Sequence, residues 1–525
     1  MMQRLERISF RAAALSIITF CVAVYGMNVT HSFVWDDAYN VVENQEIRDL
    51  SNVPSFFTEA WGASADSDHS RALNSNYWRP VALTSYAIDY ALFGTNAWGY
   101  HLINILLHSI CSVFVLLLGW RLFPLPGRER SGVLAASMIF AVHPLHTEVV
   151  NVITYRTDML AAIFTLVALN MWIKASEASE PRRKRTLFLW VPLIYFLGVG
   201  SKEMAFTLPV LIFLYEALIR RTPIKSLVVI LAPLGGVAFG YLLIRSALLS
   251  PSPMVYFGIN WPTHLPVGGD GVVLTMLSVV TLYAKLLVLP WPLNPFYEWS
   301  PEVLPVQFDP LEPSVITGVM ILGAWCVIAT KLFKTDRRLL FLWLLMPVIL
   351  VPVSHVVPII IAAGERFLYL ALLGPVMVGM IVAFRRFGTH PGTISVISIV
   401  LLIFGSMSVI RSHEWRNDEA ILEAYVSQWP GSYNAWKGLR DYRVKEAQEA
   451  IKMGHRNEVE RLALEVKEMT ATMHSIELSA WRREAQNFRL LEQVKVADCI
   501  DQQLEREESP RRCLGPLPAN MPSTD

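Results

Sequence analysis

Two adjacent aspartates, Asp36 and Asp37, lie in the polar segment FVWDDAYNVVEN, just after the first long apolar run. A carboxylate in such a position can accept the proton of an incoming hydroxyl group and so act as a general base. Carboxylates in loops are also easily solvated, and they often stabilise turns. The pair therefore indicates either catalysis or an ordinary polar loop, and either aspartate could be the base.

Many other ionisable residues lie at the ends of apolar runs. Because a charge at membrane depth is costly, each needs a partner or a solvated cavity, and a single one is readily explained as an ion pair or a snorkelling side chain. We treat the predicted cytoplasmic ends as basic only, so a mixture of acids, bases and histidines on the external side favours a site there. Besides the two aspartates, this set comprises Arg79, His143, His146, Glu148, Arg156, Asp158, Lys202, Glu203, Arg245, Lys285, His355, Glu365 and Arg366.

This mixture suits the transfer of a group from an anionic carrier. Cations can hold a leaving phosphate while a carboxylate takes the proton of the acceptor. Lys202, Arg245 and Arg366 are the candidate phosphate ligands, and a donor bound at the membrane surface can keep a lipid tail in the bilayer. His143 and His146 could orient a carboxylate or make structural hydrogen bonds. The others have supporting roles in this hypothesis.

Membrane spans must position these residues. The chain has 525 residues, of which 53% are hydrophobic and 17% charged, and the apolar residues form long blocks. This composition predicts an all-α polytopic membrane protein. The net charge of +1 gives no indication of nucleic-acid binding. The five cysteines have no metal-ligand spacing, so no metal site is predicted.

Basic residues in the short loops predict the orientation of the spans. Placing these loops in the cytoplasm puts the N-terminus inside, the C-terminal tail outside, and gives about eleven crossings. That count requires the apolar run 272–290 to be re-entrant or interfacial. The basic loops lie at 121–130, 181–185, 220–225, 331–338 and 385–386.

We divide the chain into a transmembrane domain, 1–410, and an extracytoplasmic helical tail, 411–525. The long first external loop contains RPVALTSYAIDYALFG, whose spacing predicts a helix lying along the membrane interface. In the tail, the pattern predicts at most one tetratricopeptide-like helix pair within 412–450. A long charged helix and a disordered end follow.

Five ordered sequence blocks resemble one known family. FVWDDAYNVVENQEI with YWRPVALTSYAIDYALFG opens the series, and FAVHPLHTEVVNVITYRTDMLAAIF and LGVGSKEMAFTLPVLIFLYE follow. YAKLLVLPWPLNPFYEWS and HVVPIIIAAGERFLYLALLG complete it, so the resemblance extends over roughly residues 30 to 420. The chain is similar to the membrane O-mannosyltransferases that carry lumenal tetratricopeptide repeats, the TMTC family.

The resemblance implies a GT-C-like glycosyltransferase that uses a polyprenyl- or dolichyl-phosphate sugar, with mannose as the sugar. It also implies that Asp36 deprotonates a Ser or Thr hydroxyl of an exported protein, with Asp37 as an acceptor-orienting or substitute carboxylate. The mechanism would be inverting, with direct attack on the sugar carbon. Two aspartates do not decide whether a divalent metal ion is needed.

Two departures from the family pattern bear on these expectations. The long repeat array is replaced by the short tail, so a lipid or cell-wall glycan is an alternative acceptor. Ala371 stands in ERFLYLA where the family pattern usually shows Pro. A membrane transporter and a non-catalytic scaffold are the rival classes. The short chain favours a bacterial plasma membrane over the endoplasmic reticulum, and the sequence does not indicate an oligomeric state.

Overall fold

The computed structural model describes residues 8–61, 77–249, 269–297, 304, 307, 309–355, 361 and 363–490. Across these residues the regular elements are helices, with isolated β-bridges such as that between Tyr297 and Ala363 but no strand. The prediction of an all-α membrane protein is therefore confirmed. In chain order the α-helices are α1 Phe10–Tyr25, α2 Pro80–Phe93, α3 Ala97–Leu122, α4 Arg128–Val142, α5 Thr147–Asn151, α6 Arg156–Glu177, α7 Pro181–Val199, α8 Leu208–Tyr215, α9 Ile224–Leu248, α10 Gly269–Val288, α11 Pro313–Thr335, α12 Arg337–Leu350, α13 Leu368–Ala371, α14 Leu373–Phe387, α15 Pro391–Glu414, α16 Asp418–Gln428, α17 Tyr433–Met453 and α18 Arg456–Leu490.

Seven helical segments of the described part of the chain are long and apolar enough to cross a membrane, and up to nine if each of two bent pairs counts as one span. One of the seven is Gly271–Val288. The run predicted to be re-entrant or interfacial forms one unbroken helix, α10. Its path relative to the membrane stays a prediction. The figure of about eleven crossings stays a prediction.

Both bent pairs break at a predicted motif. The chain bends by 48° between α4 and Pro144–Asn151, where Pro144 cannot continue the backbone hydrogen bonding of a helix. It bends by 49° between Glu365–Ala371 and α14. At such a break the chain changes direction, so side chains are no longer confined to the faces of one straight helix. Glu148 and Arg366 can therefore approach each other from different spans.

Helices α4 and α14 pack backbone against backbone. A Cβ atom added to Gly132 on α4 would lie 2.8 Å from Ile381 Cα on α14, closer than van der Waals contact allows. Glycine is therefore required there for the two helices to approach this closely. This contact places the start of α4 beside the end of α14. The charged residues at these helix ends therefore lie close together.

Contacts divide the chain into two units. The first comprises 1–258, 324–359 and 365–417, and the second comprises 259–323, 360–364 and 418–525. The boundary near residue 417 lies close to the predicted one, but the second unit also takes in α10, so the predicted division stays a prediction.

In the second unit, α16 and α17 form the helix pair predicted within 412–450, and α18 is the predicted charged helix. Ser432 caps α17 by accepting a hydrogen bond from the backbone N–H of Ala435 (3.1 Å). The disordered end predicted for the tail lies outside the described residues.

The loop predicted to be the first external one has its own small core. Val41, Ile47 and Phe56 pack with Tyr86 of α2 and with Ile153 from the turn before α6. The predicted helix in this loop is present as α2. The loop is thereby held against the start of α6, next to the two aspartates.

Candidate active site

The two adjacent aspartates occupy different environments. Asp37 is fully buried, and its Oδ2 accepts hydrogen bonds from the backbone N–H groups of Val34 (3.2 Å) and Ile153 (3.1 Å). Its Oδ1 accepts one from Thr154 (2.8 Å). Burial raises the pKa of Asp37 to about 7, although these three donors favour its charged form. Asp37 fastens the loop to the turn before α6, which argues against the alternative that Asp37 is the base.

Asp36 is only partly buried, and its Oδ2 accepts a hydrogen bond from the Tyr155 hydroxyl (3.1 Å). Burial raises the pKa of Asp36, while the charges of Arg366 and Lys202 and the Tyr155 hydroxyl oppose that rise. A raised pKa suits a carboxylate for work as a general base. The preceding Trp35 has a left-handed backbone (φ 57°), which bulky residues rarely adopt and which is most often found at functional sites.

Tyr155 connects Asp36 to a buried ion pair. Its ring lies under the guanidinium group of Arg366, whose Cζ is 4.4 Å from the ring centroid. Arg366 donates its backbone N–H to Glu148 Oε2 (2.8 Å), and its guanidinium group pairs with Glu148 Oε1. These side chains are 9% and 1% exposed, so the pair is shielded from water.

A second ion pair joins Lys202 Nζ and Asp158 Oδ2 at 2.5 Å, with the side chains 11% and 4% exposed. Asp158 and Arg366 both line a small cavity of about 20 Å³. The rest of its lining is mostly apolar: Ala161, Ala162, Thr165, Met204, Ala205, Ile349, Phe367, Tyr369 and Leu370. The cavity therefore combines an apolar wall with charged groups at its boundary.

Glu203 is shared between two arginines. Arg79 Nη2 lies 2.7 Å from Glu203 Oε2, and Arg245 Nη1 lies 2.6 Å from Glu203 Oε1. Two cations and one carboxylate leave this triad with a net charge of +1, whereas the pairs of Arg366 and Lys202 are each neutral. The Glu203 side chain is 28% exposed, so the triad is also the most accessible of the three groups. The candidate phosphate ligands are thus not equivalent, and Arg79 joins Arg245 in the group that places two cations on one carboxylate.

Local structure holds the triad in place. The backbone N–H of Val81 donates to the carbonyl of Gly200 (3.1 Å), which joins the start of α2 to the turn carrying Glu203. Trp78 is buried, and its carbonyl accepts a hydrogen bond from the Tyr241 hydroxyl (2.7 Å), one helical turn before Arg245. The residues flanking each arginine are therefore fixed before any ligand binds.

Arg156, predicted to support the site, makes contacts between helices. It is fully buried, and its guanidinium group pairs with Asp89 of α2 (2.5 Å) and donates to Asn104 Oδ1 (2.7 Å) and to the Tyr100 carbonyl (3.1 Å). All its partners belong to α2 and α3, so Arg156 joins these helices to the start of α6.

The two predicted histidines are also fully buried. His143 caps the turn at Pro144 by accepting the backbone N–H of Leu145 (3.3 Å). His146 Nε2 lies 3.1 Å from the Tyr369 carbonyl. The structural alternative therefore describes them better than the orientation of a carboxylate. Glu365 is fully buried beside Arg366.

Sequence reasoning missed Tyr155, Asp89 and His108. Tyr155 lies one residue before a predicted site residue, but an aromatic side chain carries no charge signal in a sequence. Buried His108 has Nδ1 2.9 Å from the Tyr369 hydroxyl and belongs to the packing around His146. No group of three or more His, Cys, Asp or Glu side chains that could hold a metal ion occurs among the described residues.

No family model matches the chain. It is 27% identical over 441 residues to a protein O-mannosyl-transferase of Caenorhabditis elegans, which covers 82% of the chain and 59% of that relative. It is also 27% identical over 483 residues to the human protein O-mannosyl-transferase TMTC4, covering 82% of the chain and 64% of the relative. The resemblance to the TMTC proteins is therefore confirmed. The chain spans about three fifths of the length of these relatives.

Two solved structures are distantly similar. The Archaeoglobus fulgidus oligosaccharyltransferase in its apo form has a TM-score of 0.43 at 13% identity, covering 77% of this chain and 56% of that one. ArnT from Cupriavidus metallidurans bound to undecaprenyl phosphate has a TM-score of 0.40 at 13% identity, covering 88% and 75%. At these TM-scores the likeness supports no argument about chemistry.

Proposed function

We propose that this chain is an integral-membrane glycosyltransferase of the GT-C type that moves mannose from a polyprenyl- or dolichyl-phosphate carrier to Ser or Thr hydroxyls of exported proteins. The observation that carries the proposal is Asp36, a partly exposed carboxylate held by Tyr155 beside buried cations. Its support from relatives is the similarity, over most of this chain, to proteins named protein O-mannosyl-transferases.

In this mechanism Asp36 is the general base. The acceptor oxygen attacks the anomeric carbon of the sugar, its proton passes to Asp36, and the bond to the carrier phosphate breaks with inversion. Tyr155 holds Asp36 in one orientation through their hydrogen bond. Asp37 fixes the backbone nearby by accepting hydrogen bonds from the N–H groups of Val34 and Ile153. A single carboxylate supplies the proton acceptor, so no covalent intermediate is needed.

The leaving phosphate is bound by the triad of Arg79, Glu203 and Arg245. Its two arginines and its partial exposure favour contact with an anionic group. Arg366 and Lys202 are already neutralised by Glu148 and Asp158. We assign them the role of stabilising ionised Asp36 through their charges. Of the three predicted phosphate ligands, Arg245 therefore remains a ligand, while Arg366 and Lys202 act on Asp36.

The proposed location is a bacterial plasma membrane, with the site and the tail on the extracytoplasmic side. The endoplasmic reticulum is the alternative. The partners are then the lipid-linked donor, membrane lipids and an exported acceptor.

The test is mass spectrometry of Ser- and Thr-containing peptides from exported proteins. Cells with the intact protein are compared with cells carrying Asp36→Asn at equal expression. Loss of a general base lowers turnover by about 10²- to 10⁴-fold, so hexose should disappear from specific peptides. Glu129→Gln, which removes one carboxylate at the other end of α4, is the matched control and should leave the hexose in place.

Unchanged peptides with altered lipid-linked or cell-wall glycans would replace the protein acceptor and keep the enzyme. No change in either pool would contradict Asp36 as the base and favour the transporter or scaffold.

A further inference from the structure

The end of the bundle opposite the candidate active site carries a dense arginine cluster. It is built where α4 begins, where α11 passes into α12 and where α14 ends. Six arginines and two acids, Glu129 and Asp336, belong to these helix ends, which gives them a net charge of +4. The arginines are Arg128, Arg130, Arg337, Arg338, Arg385 and Arg386.

Ion pairs and an aromatic ring preorganise this cluster. Arg385 bridges Glu129 (2.5 Å) and Asp336 (2.6 Å), and thereby ties the three helix ends together. The guanidinium groups of Arg338 and Arg385 lie 4.6 Å and 5.7 Å from the centroid of the buried Phe123 ring. Since both acids are already engaged, the remaining arginines keep their positive charge available.

Four of these arginines have no carboxylate within ion-pair distance in the described part of the chain, and one of them, Arg130, donates to the carbonyl of Phe123 (3.4 Å). The other three are Arg128, Arg337 and Arg386. Arg128 and Arg386 are exposed, and Arg337 is partly exposed. Large apolar side chains are exposed beside them, namely Leu125, Phe333 and Phe387. A surface that alternates guanidinium groups with exposed apolar side chains matches the boundary between lipid headgroups and acyl chains.

We propose that this cluster is a binding site for an anionic phospholipid, whose phosphate meets Arg128, Arg337 and Arg386 while its chains contact the neighbouring apolar residues. An acidic protein segment would also meet the charge. The exposed apolar residues at the ends of membrane helices favour the lipid. This site lies at the start of α4 and the end of α14, whereas the candidate active site lies near the other ends of these helices. The lipid proposal therefore does not depend on the proposed function.

The test uses the full-length protein in neutral detergent, titrated with dioleoylphosphatidylglycerol while the unfolding temperature is followed. Each cation near an anionic lipid strengthens binding by about fivefold. The triple variant Arg128→Gln/Arg337→Gln/Arg386→Gln should therefore need at least about tenfold more lipid for half-saturation. Arg386→Gln alone should need about fivefold more. The zwitterionic dioleoylphosphatidylcholine should give the same unfolding temperature for all proteins, which controls for folding.

The matched control removes three exposed cations from α18: Arg456→Gln/Arg461→Gln/Lys467→Gln. It should bind phosphatidylglycerol as the unchanged protein does. Equal binding by the Arg128, Arg337 and Arg386 triple variant would overturn the proposal. Equal stabilisation by inorganic phosphate would replace the lipid by a small anion, and displacement of the lipid by poly-glutamate would favour an acidic protein segment.

Discussion

Helices α4 and α14 end in two clusters of charge that are organised differently. At one end Glu148 pairs with Arg366 behind Tyr155, with side chains 1% and 9% exposed. At the other end Glu129 pairs with Arg385, with side chains 30% and 32% exposed. In the buried cluster the carboxylate of Glu148 and the guanidinium group of Arg366 neutralise each other. The exposed cluster has more positive than negative side chains.

The difference shows how position decides what an ion pair does. A buried carboxylate cannot be left without its cation, so Glu148 and Arg366 fix the geometry around Asp36. An exposed pair contributes little to stability, and its excess charge is available to ligands from outside. Burial therefore fixes the geometry beside Asp36, and exposure leaves positive charge available at the other end.

Removing one arginine from each end gives the largest contrast in stability. Arg366→Met leaves Glu148 buried without a cation and should lower the free energy of unfolding by about 3–5 kcal/mol. Arg385→Met leaves two partly exposed acids and should cost about 1 kcal/mol or less. Chemical unfolding in one detergent measures both.

The double variant Glu148→Gln/Arg366→Met removes both charges of the pair. It therefore separates the cost of an unpaired buried charge from the cost of lost packing. With no uncompensated charge left, it should recover part of the loss seen in Arg366→Met. Equal losses for Arg366→Met and Arg385→Met would contradict the distinction between the two ends.

The triad predicts a smaller, kinetic difference. Arg245→Met removes one of the two cations on Glu203 and should raise KM for a synthetic polyprenyl-phosphate mannose by about tenfold or more, as expected for one lost charge-assisted hydrogen bond. The variant Arg456→Met, in exposed α18, should leave KM unchanged. Initial rates at varied donor concentration give both values. A lower kcat with an unchanged KM would assign Arg245 to the chemical step instead.

The smallest effect is a shift in pH dependence. Activity requires ionised Asp36, whose pKa is raised, so the rate should fall as the pH drops through that value. Tyr155→Phe keeps the ring under Arg366 but removes the hydrogen bond that favours the carboxylate. The pKa should rise further, and the acid side of the pH–rate profile should move up by about 0.4 to 1 pH unit.

Tyr195→Phe removes a hydroxyl from another buried tyrosine that makes no hydrogen bond to Asp36, and it should leave the profile in place. A profile of Tyr155→Phe that matches the unchanged protein would contradict the role of the hydroxyl.

Much of the fold could be predicted from local patterns. Apolar runs predict the long helices, RPVALTSYAIDYALFG predicts α2, and the tail pattern predicts α16 to α18. Whether 272–290 reverses direction could not be predicted, because basic loop residues report sidedness and not the path of the chain between them. The helix breaks could be located at their motifs, but their angles depend on packing.

The site was predicted less well, because sequence gives residue types and not partners. Asp36 and Asp37 are neighbours, yet only the contact with residues 153 and 154 distinguishes them. Arg156 and Asp89 are far apart in sequence, so their ion pair was invisible. Treating the predicted cytoplasmic ends as basic only was wrong, since Glu129 and Asp336 lie there and both pair with Arg385.

The pair between Glu148 and Arg366 also sets an order for biosynthesis. The two residues are 218 positions apart, so at 5–20 residues per second the carboxylate is made about 10 to 40 seconds before its cation. During that interval the nascent chain holds an acid that lacks its partner. Only when Arg366 has been made can the ion pair beside Tyr155 form. A chain that ends before residue 366 therefore keeps Glu148 without its cation, and an unpaired buried charge is strongly destabilising.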